Sequence, residues 1–285
     1  ECSSTLCKDV ECQNGGTCVT DTVDTYICLC QLGKIGKHCE QEVTVHIPSF
    51  NGTSYLTYPG FGNTKLSYLE IEVVFRPKST DGLIIYDALK TDTTGDFVSL
   101  SMSNGYLEFR FDCGTGPAIV RSINKVDLDE WHTAVISRTG LEGILELDSL
   151  PAVRDKAEGA FTQTSFKTDL YIGGHSNWDE VAKYASIKSS FVGDIQKVVV
   201  NDRLIDLVED ALTGVNIDNA DHPCIGSPCL YNGECIPHHD VYMCDCHIGY
   251  NASNCEKEIL FPDDATEIKF LGRSYVQMTH PDILK

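Results

Sequence analysis

The clearest alternation of apolar and polar residues in this sequence is in Asp96-Phe97-Val98-Ser99-Leu100-Ser101-Met102-Ser103-Asn104-Gly105-Tyr106-Leu107-Glu108-Phe109-Arg110-Phe111-Asp112. Apolar residues occupy every second position on both sides of the turn signal Ser103-Asn104-Gly105, and Glu108 and Arg110 fall on the opposite face. Alternation with a period of two indicates a strand with one buried face. The stretch therefore predicts a β-hairpin.

The same alternation continues on both sides of this hairpin. Leu69, Ile71, Val73 and Phe75 share one face of an earlier strand. Further strands are predicted near residues 83–86, 118–122, 131–138, 144–148, 170–172 and 195–200, whereas a helical period occurs only around 204–212. About a dozen strands with one polar and one apolar face predict a mainly β fold, a two-sheet sandwich.

Two copies of one six-cysteine pattern flank this segment. The first copy is Cys7, Cys12, Cys18, Cys28, Cys30 and Cys39, and the second is Cys224, Cys229, Cys235, Cys244, Cys246 and Cys255. Each block is too short to bury a core, so disulfide bonds must stabilise it, which requires an extracellular compartment. Spacing alone leaves many connectivities open. A zinc site is the alternative, but it fits poorly because no histidine completes a ligand set.

Composition and missing motifs exclude several functions. The net charge of −20 argues against nucleic acid and against anionic membranes as partners. No apolar run reaches about 18 residues, so we expect no insertion into a bilayer. The chain begins at Glu1 without a signal segment, and we expect a fragment of a longer secreted protein. Metalloprotease, nucleophile-elbow and phosphate-loop motifs are missing from the sequence, so we expect no enzyme.

Both cysteine blocks resemble EGF-like modules. An Asn-Gly turn precedes the third cysteine of each block, at Asn14-Gly15-Gly16 and Asn232-Gly233, and Tyr26 or Tyr242 stands two residues before the fourth. The resemblance implies that the cysteines pair first with third, second with fourth and fifth with sixth. The implied bonds are Cys7–Cys18, Cys12–Cys28, Cys30–Cys39, Cys224–Cys235, Cys229–Cys244 and Cys246–Cys255.

The central segment resembles a laminin G-like domain. The matching motifs are Asp81-Gly82-Leu83-Ile84-Ile85-Tyr86, Asp96-Phe97-Val98-Ser99-Leu100, Asp129-Glu130-Trp131-His132, Tyr171-Ile172-Gly173-Gly174 and Phe191-Val192-Gly193-Asp194-Ile195. They cover most of residues 43–222 in the order of the family. The resemblance implies a jelly-roll sandwich of two curved antiparallel sheets.

The order of modules resembles the agrin, perlecan and pikachurin group of matrix proteins, and residues 109–119, 270–275 and 281–284 are most similar to its pikachurin branch. Residues 268–275 also repeat the pattern of residues 47–55. The expected domains are an EGF-like module at 3–41, a laminin G-like domain at 43–222, an EGF-like module at 223–257, and the start of a second, truncated laminin G-like domain at 258–285.

Laminin G-like domains hold Ca²⁺ on the rim of the sandwich, and matching motifs transfers that site onto five residues. They are Asp96, the backbone oxygens of Cys113 and Gln163, Ser165, and Asp169. Ser165 stands where a second acid commonly falls, and Asp169 can replace it only if the loop is shifted by four residues. Such a shell leaves positions for water or an anionic partner. The alternative is that Asp96 simply ends an exposed turn.

Other side chains indicate covalent modification. Asn51 and Asn251 begin N-glycosylation sequons, and Thr17 fits the O-fucose pattern of EGF-like modules. Two cysteines stand outside the six-cysteine patterns. Either Cys2 pairs with Cys113, or Cys113 is a buried thiol and Cys2 belongs with an upstream segment.

The resemblance implies a non-catalytic adhesion module of the extracellular matrix. Its expected partner is the acidic glycan of an α-dystroglycan-type receptor, bound through Ca²⁺, with a G-protein-coupled receptor as a further partner in the synaptic cleft. The expected glycan-contact cations are Arg110, Arg121, Lys167 and Lys183. The alternative function is metal-independent binding of a receptor ectodomain by shape.

Overall fold

A computed structural model describes residues 5–22, 25–62 and 65–259. Described residues up to Gly226, together with Pro237–Tyr242, form one compact unit, and those in Ser227–Ile236 and from Met243 onward form a second. The expected truncated domain at 258–285 lies outside the described residues from residue 260 on. No helix in the described ranges is long and apolar enough to cross a membrane.

The first cysteine block folds as a small module of two hairpins. It contains a short 3-10 helix, Thr5–Cys7, and strands β1 (Thr17–Thr22), β2 (Thr25–Leu29), β3 (Lys34–Ile35) and β4 (Gln41–Glu42). Disulfide bonds join Cys7 to Cys18, Cys12 to Cys28 and Cys30 to Cys39. These pairs follow the order that the EGF resemblance implies.

Two antiparallel sheets form the sandwich. Its strands are β5 (Pro48–Asn51), β6 (Tyr55–Tyr58), β7 (Lys65–Leu66), β8 (Tyr68–Pro77), β9 (Gly82–Ala88), β10 (Phe97–Ser103), β11 (Tyr106–Asp112), β12 (Pro117–Arg121), β13 (His132–Thr139), β14 (Glu142–Leu147), β15 (Val153–Lys156), β16 (Thr164–Ser165), β17 (Leu170–Ile172), β18 (Val192–Val200), β19 (Arg203–Ile205), β20 (Thr213–Val215) and β21 (Asp218–Asn219). One sheet has the order β12-β11-β10-β9-β17-β6-β20, and the other has β15-β14-β13-β8-β18-β5-β21 with β19 beside β18. Strands β7 and β16 form a separate ribbon. The fold is the mainly β sandwich that the sequence predicts.

The second cysteine block also consists of short hairpins. It contains a 3-10 helix, Pro223–Gly226, and strands β22 (Glu234–His238), β23 (Val241–Asp245), β24 (Tyr250–Asn251) and β25 (Lys257–Glu258). Disulfide bonds join Cys229 to Cys244 and Cys246 to Cys255. Cys224 and Cys235 are also disulfide-bonded.

The hairpin of β10 and β11 has the predicted register. Val98 lies opposite Phe111, and Leu100 lies opposite Phe109. The φ angles of Asn104 and Gly105 are 51° and 82°, which suits a two-residue turn that continues the twist of the two strands. All four apolar side chains are buried in the main core between the sheets.

The expectation of one polar and one apolar face is wrong for the middle of the first sheet. All residues of β9 are buried, and Glu108, predicted to point outward, is only 4% exposed. Glu108 pairs with Arg110 and Arg121, and for β9 the reason is a second apolar cluster on the outer face of the sheet. Its members include Leu83, Tyr86, Ala88 and Phe97 from the sheet and Val181, Ala182, Ala185 and Ile187 from a covering loop that contains a third 3-10 helix, Lys183–Ala185.

The helical period at 204–212 does not produce a helix. The segment continues β19 and then turns. The Asp206 carboxylate accepts hydrogen bonds from the backbone N–H groups of Val208 and Glu209, at 3.0 and 2.9 Å. Such local side-chain bonds give the backbone an alternative to the helix.

Cys113 is a free, buried cysteine, so of the two alternatives for Cys113 the structure shows the buried thiol. Its sulfur lies 3.9 Å from the carbonyl oxygen of Gly140. Burial raises the pKa of this thiol. Cys2 lies outside the described residues.

The first cysteine-rich module is held on the sandwich by backbone hydrogen bonds. The N–H of Leu32 donates to the carbonyl of Gly214 at 2.9 Å, and the N–H of Asn216 donates to the carbonyl of Cys30 at 2.8 Å. The Asn216 side chain accepts a further bond from the N–H of Cys30 at 2.7 Å. Because these bonds fix the module directly to β20 and the turn after it, the module and the sandwich belong to one compact unit.

Candidate functional site

A groove of about 430 Å³ opens at the end of the sandwich where β10 begins and β11 ends. It is lined by Lys65, Asp96, Cys113, Gly114, Ala160, Phe161, Thr162, Gln163 and Ser165. Four of the five predicted Ca²⁺ ligands are therefore together in one place. The hairpin brings Asp96 near Cys113, and the β7–β16 ribbon adds Lys65 and Ser165.

Asp96 supplies the only carboxylate among the residues that line this groove. Its side chain is half-buried, and its Oδ2 accepts a hydrogen bond from the N–H of Ser165 at 2.8 Å. Burial raises the pKa of Asp96, and the charge of Asp112 acts in the same direction, whereas the bond from Ser165 and the charge of Arg138 lower it. The carboxylate is thus held in one orientation in a partly desolvated place.

Gly114 keeps the other oxygen of this carboxylate accessible. A Cβ added at Gly114 would lie 3.4 Å from Oδ1 of Asp96, and the φ of Gly114 is 97°. This φ lies in the region that favours glycine, so a side chain here would be strained. The glycine therefore leaves free space beside Oδ1, where a cation could be bound.

Ser165 contributes its backbone N–H to the site, and an N–H cannot bind a cation. Its contact with Asp96 makes it a residue that orients the carboxylate. The prediction that it also supplies an oxygen ligand rests on its hydroxyl group alone. The same prediction for the backbone oxygens of Cys113 and Gln163 stays open, and both residues line the groove.

Asp169 does not join the other predicted ligands. It lines a different groove of about 270 Å³, together with Lys90, Lys167, Tyr171 and His175 among others. The N–H groups of Lys167 and Thr168 both donate to the carbonyl of Ala88, at 2.9 and 3.0 Å. These bonds fix the segment against β9, so in this structure it is not shifted by the four residues that would bring Asp169 to Asp96.

The four predicted glycan-contact cations also lie elsewhere, because none of them lines the Asp96 groove. Arg110 and Arg121 flank the buried carboxylate of Glu108, with N–O distances of 2.7 and 3.5 Å. Lys167 lines the second groove, and Lys183 begins a 3-10 helix in the covering loop.

Lys65 lines the Asp96 groove, although it is not among the predicted glycan-contact cations. It reaches the groove because it pairs with Ser165 across the β7–β16 ribbon. This pairing joins segments that are far apart in the sequence, and no local pattern indicates it. The exposed Phe161, 63% accessible, lies at the same groove and was also missed.

Arg138 fixes the β7–β16 ribbon that lines the groove. Its side chain is 1% exposed. Its guanidinium donates to the carbonyls of Gly140 at 2.7 Å and Leu66 at 2.6 Å, and to the hydroxyl of Thr164 at 2.8 Å. The sequence carried a signal for it, because Ala134, Ile136 and Arg138 share the inward face of β13.

The donors of the groove fit Ca²⁺ only as a partial shell. Ca²⁺ prefers about six to eight oxygen ligands. Among the residues that the structure describes, no group of three or more His, Cys, Asp or Glu side chains could hold a metal. One carboxylate with two backbone oxygens would leave several positions for water or for an anion supplied from outside. The nearby buried charge of Arg138 weakens the attraction for a bare cation, which favours a shell completed by an anion.

The buried carboxylate of Asp87 fixes the segments at Phe61 and Thr168, which lie before β7 and after β16 in the chain. Asp87 is 0% exposed, and it accepts hydrogen bonds from the N–H of Phe61 at 3.0 Å and from the hydroxyl of Thr168 at 2.9 Å. The rings of Phe61 and Phe166 pack edge to face beside it. Burial raises the pKa of Asp87 to about 7.

We expect replacement of Asp87 by asparagine to remove a pH dependence of stability. The pKa of this carboxyl is higher in the folded chain than in the unfolded chain, where it is about 4. The protonated carboxyl therefore contributes its full stabilisation below about pH 4, and this stabilisation is lost as the pH rises through about 7. Urea unfolding should therefore show the Asp87→Asn chain more stable than wild type at pH 8, by up to about 4 kcal/mol, with the difference shrinking towards pH 5. The exposed Asp127→Asn serves as control. A difference between wild type and Asp87→Asn that is constant from pH 5 to 8 would contradict the assignment.

The predicted modification sites are exposed. Asn51 ends β5, Asn251 ends β24, and Thr17 begins β1. Their modification remains a prediction.

Three family models match the chain. The laminin G domain model matches residues 75–203, the EGF-like domain model matches residues 7–38, and the human growth factor-like EGF model matches residues 229–250. The first match contains Asp96 and Ser165, and the other two fall in the disulfide-bonded modules.

Curated relatives match over most or all of the chain. Pikachurin of Bos taurus is 45% identical over 100% of this chain and 28% of its own length. Pikachurin of Homo sapiens is 43% identical over 100% of this chain and 29% of its own length. The basement membrane-specific heparan sulfate proteoglycan core protein of Mus musculus is 33% identical over 82% of this chain and 6% of its own length. The chain thus spans less than a third of the length of these relatives.

Solved structures show the same fold. Domains LG4-5 of the mouse laminin alpha1 chain match with a TM-score of 0.54 and 23% identity, covering 61% of this chain and 46% of theirs. The LG1-3 region of the laminin alpha2 chain matches with a TM-score of 0.54 and 18% identity, covering 62% of this chain and 35% of its own. At this identity the likeness shows the fold alone.

Proposed function

The chain belongs to the EGF-like and laminin G-like matrix proteins of the agrin, perlecan and pikachurin group, and on that premise we propose that its sandwich binds an acidic receptor glycan of the α-dystroglycan type. In this proposal a Ca²⁺ ion bound at the Asp96 groove bridges the sandwich and the glycan. The families that match are non-catalytic adhesion families of the extracellular matrix. Action in the synaptic cleft, and a G-protein-coupled receptor as a second partner, are part of the same proposal.

The observation that carries this proposal is the convergence of Asp96, Cys113, Gln163 and Lys65 on one open groove. Asp96 and the two backbone oxygens would hold the ion. A bound Ca²⁺ supplies a Lewis-acidic centre with open positions that a carboxylate of the glycan can fill. The ion and Lys65 are needed because the chain has a net charge of −20, which repels an acidic glycan at long range.

Phe161 adds an apolar surface to the groove. Its ring is 63% exposed, and a sugar presents apolar C–H groups on the faces of its ring. Aromatic side chains combine a large contact area with few rotatable bonds, which suits recognition. We therefore place the glycan carboxylate towards Asp96 and Lys65 and the sugar face towards Phe161.

Metal-independent binding of a receptor ectodomain is the second candidate, and a surface on the outer face of the first sheet favours it. Ile119 is 41% exposed and Tyr184 is 55% exposed. Arg110 links them, since it pairs with Ile119 in the sheet and donates to the carbonyl of Tyr184 at 3.4 Å. Aromatic residues and arginine are enriched in protein interfaces.

A chelation experiment decides between the two candidates. We expect EDTA to abolish binding of the chain to immobilised acidic receptor glycan, and added Ca²⁺ to restore it, because the ion bridges two negatively charged partners. Raising the salt concentration should weaken binding as well. Lys65→Ala should lower the affinity by about tenfold, whereas Lys167→Ala, which alters the second groove, should leave it unchanged. Binding to the glycan that survives excess EDTA would overturn the calcium proposal, whereas binding of a glycan-free receptor ectodomain in excess EDTA would support the protein-contact surface.

A further inference from the structure

A third open groove lies where the first EGF-like module meets the sandwich. Its volume is about 330 Å³, and it is lined by Tyr26 and Lys37 of the module and by Asn51, Thr53 and Asn216 of the sandwich, among others. All of these residues belong to the same compact unit. The groove is therefore a feature of the junction between the two folds, and it is distinct from the Asp96 groove.

Asn51 stands in this groove with its amide nitrogen unused. Its Oδ1 accepts hydrogen bonds from the N–H of Thr53 at 3.0 Å, from the hydroxyl of Thr53 at 2.8 Å and from the hydroxyl of Ser54 at 3.0 Å. Its Nδ2 donates to no residue in the described part of the chain, and the residue is exposed. The amide is thus held by its oxygen, while its nitrogen stays free.

The same turn is bonded to the first EGF-like module through Asn216. Asn216 Nδ2 donates to the hydroxyl of Thr53 at 2.8 Å, and Asn216 Oδ1 accepts from the N–H of Cys30 at 2.7 Å. A short chain of hydrogen bonds therefore connects Asn51, Thr53, Asn216 and the module. A group attached to Asn51 would sit directly over these bonds.

We propose that an N-linked glycan on Asn51 places its first N-acetylglucosamine in this groove and stabilises the junction. The attachment requires an oligosaccharide carried on a lipid diphosphate. The Nδ2 atom forms a bond to C1 of the sugar, the bond from C1 to the diphosphate oxygen breaks, the diphosphate leaves with the electron pair, and the amide proton passes to a base. The step needs only the sequon Asn51-Gly52-Thr53 in the extended nascent chain.

The side chains around the groove suit a sugar ring. Tyr26 is half-buried, so it presents part of its ring, and Lys37 lies 5.9 Å from the centre of that ring. An aromatic face packs against the C–H groups of the sugar, and the ammonium can donate to its hydroxyl or acetyl oxygen atoms. Because the sugar is covalently attached at the edge of the groove, its effective concentration is high and a weak contact suffices.

The test uses the chain secreted from cells that make only oligomannose glycans, and then trimmed with endoglycosidase H to one N-acetylglucosamine per site. Mass analysis of the peptide with Asn51 should show that sugar. Thermal unfolding should then show that Asn51→Gln lowers the melting temperature by about 2–4 °C. Asn251→Gln, which removes the other sequon, is the matched control and should cause no shift.

Combination with a Tyr26 variant separates the sugar contact from the local turn. In a Tyr26→Ala background, Asn51→Gln should cause no further shift, whereas in Tyr26→Phe the full shift should remain. If Asn51→Gln acts only by disturbing the turn, its shift will be the same in both backgrounds, which would overturn the proposal. Absence of the sugar on Asn51 would overturn it as well.

A second measurement does not depend on secretion of the Asn51 variant. If the first sugar is seated in the groove, an amidase that cleaves at the asparagine should remove the untrimmed oligomannose glycan from Asn51 of the native wild-type chain more slowly than from Asn251. Tyr26→Ala should increase the rate at Asn51 at least several-fold. Equal removal rates at the two sites in wild type would contradict a seated sugar.

Discussion

Replacement of Asp96 by asparagine is expected to abolish Ca²⁺ binding and to weaken binding of the acidic glycan by at least about a hundredfold. Asp96 provides the only carboxylate among the residues that line its groove. An asparagine oxygen can still accept the bond from Ser165, so the loop should keep its place, but the negative charge is lost. Calorimetric titration with Ca²⁺, followed by glycan in the presence of Ca²⁺, measures both effects.

The fold should tolerate the replacement of Asp96 by asparagine. The stability of this variant and the Ca²⁺ affinity of Asp169→Asn are the two controls. Burial raises the pKa of Asp96, so the folded chain accommodates a neutral side chain at this position, and stability at neutral pH should not fall. Asp169→Asn, in the second groove, should retain wild-type Ca²⁺ affinity. Unchanged Ca²⁺ affinity in Asp96→Asn would refute the site, and loss of affinity in Asp169→Asn would show that the loop shifts on binding.

Replacement of Arg138 by methionine is expected to lower the free energy of unfolding by about 3–5 kcal/mol. The guanidinium is buried and donates to the carbonyls of Leu66 and Gly140 and to the hydroxyl of Thr164. Methionine fills part of the volume but leaves these acceptors without their donor. Leu66 and Thr164 belong to the β7–β16 ribbon, so the same change should also disturb the groove.

Urea unfolding with a constant slope measures this loss. Arg154→Met is the matched control, because Arg154 is 61% exposed in a pair with Glu142 at 3.6 Å, and its replacement should change stability by less than about 0.5 kcal/mol. Arg138→Lys should give an intermediate loss, since one ammonium cannot reproduce the fork of a guanidinium. A loss below about 1 kcal/mol in Arg138→Met would contradict the supporting role of the arginine.

Local patterns alone predicted the mainly β fold. The hairpin of Val98, Leu100, Phe109 and Phe111 has the predicted register, because alternation and an Asn-Gly turn act between neighbours in the sequence. The cysteine spacing likewise predicted two small disulfide-bonded modules, and the resemblance to EGF-like modules supplied the pairing. The position of Asp96 at the start of a strand followed from the same motif matching.

Contacts between distant segments decided the rest. Glu108, which its strand pattern had placed outside, is buried, and the N–H groups of Lys167 and Thr168 hold the segment with Asp169 against β9. Lys65 reaches the groove only through its pairing with Ser165. Sequence periodicity determines which face of a strand is apolar, but which segment covers a face, and which side chains meet at a loop, depend on the packing of segments far apart in the chain. Only the tertiary structure contains that information.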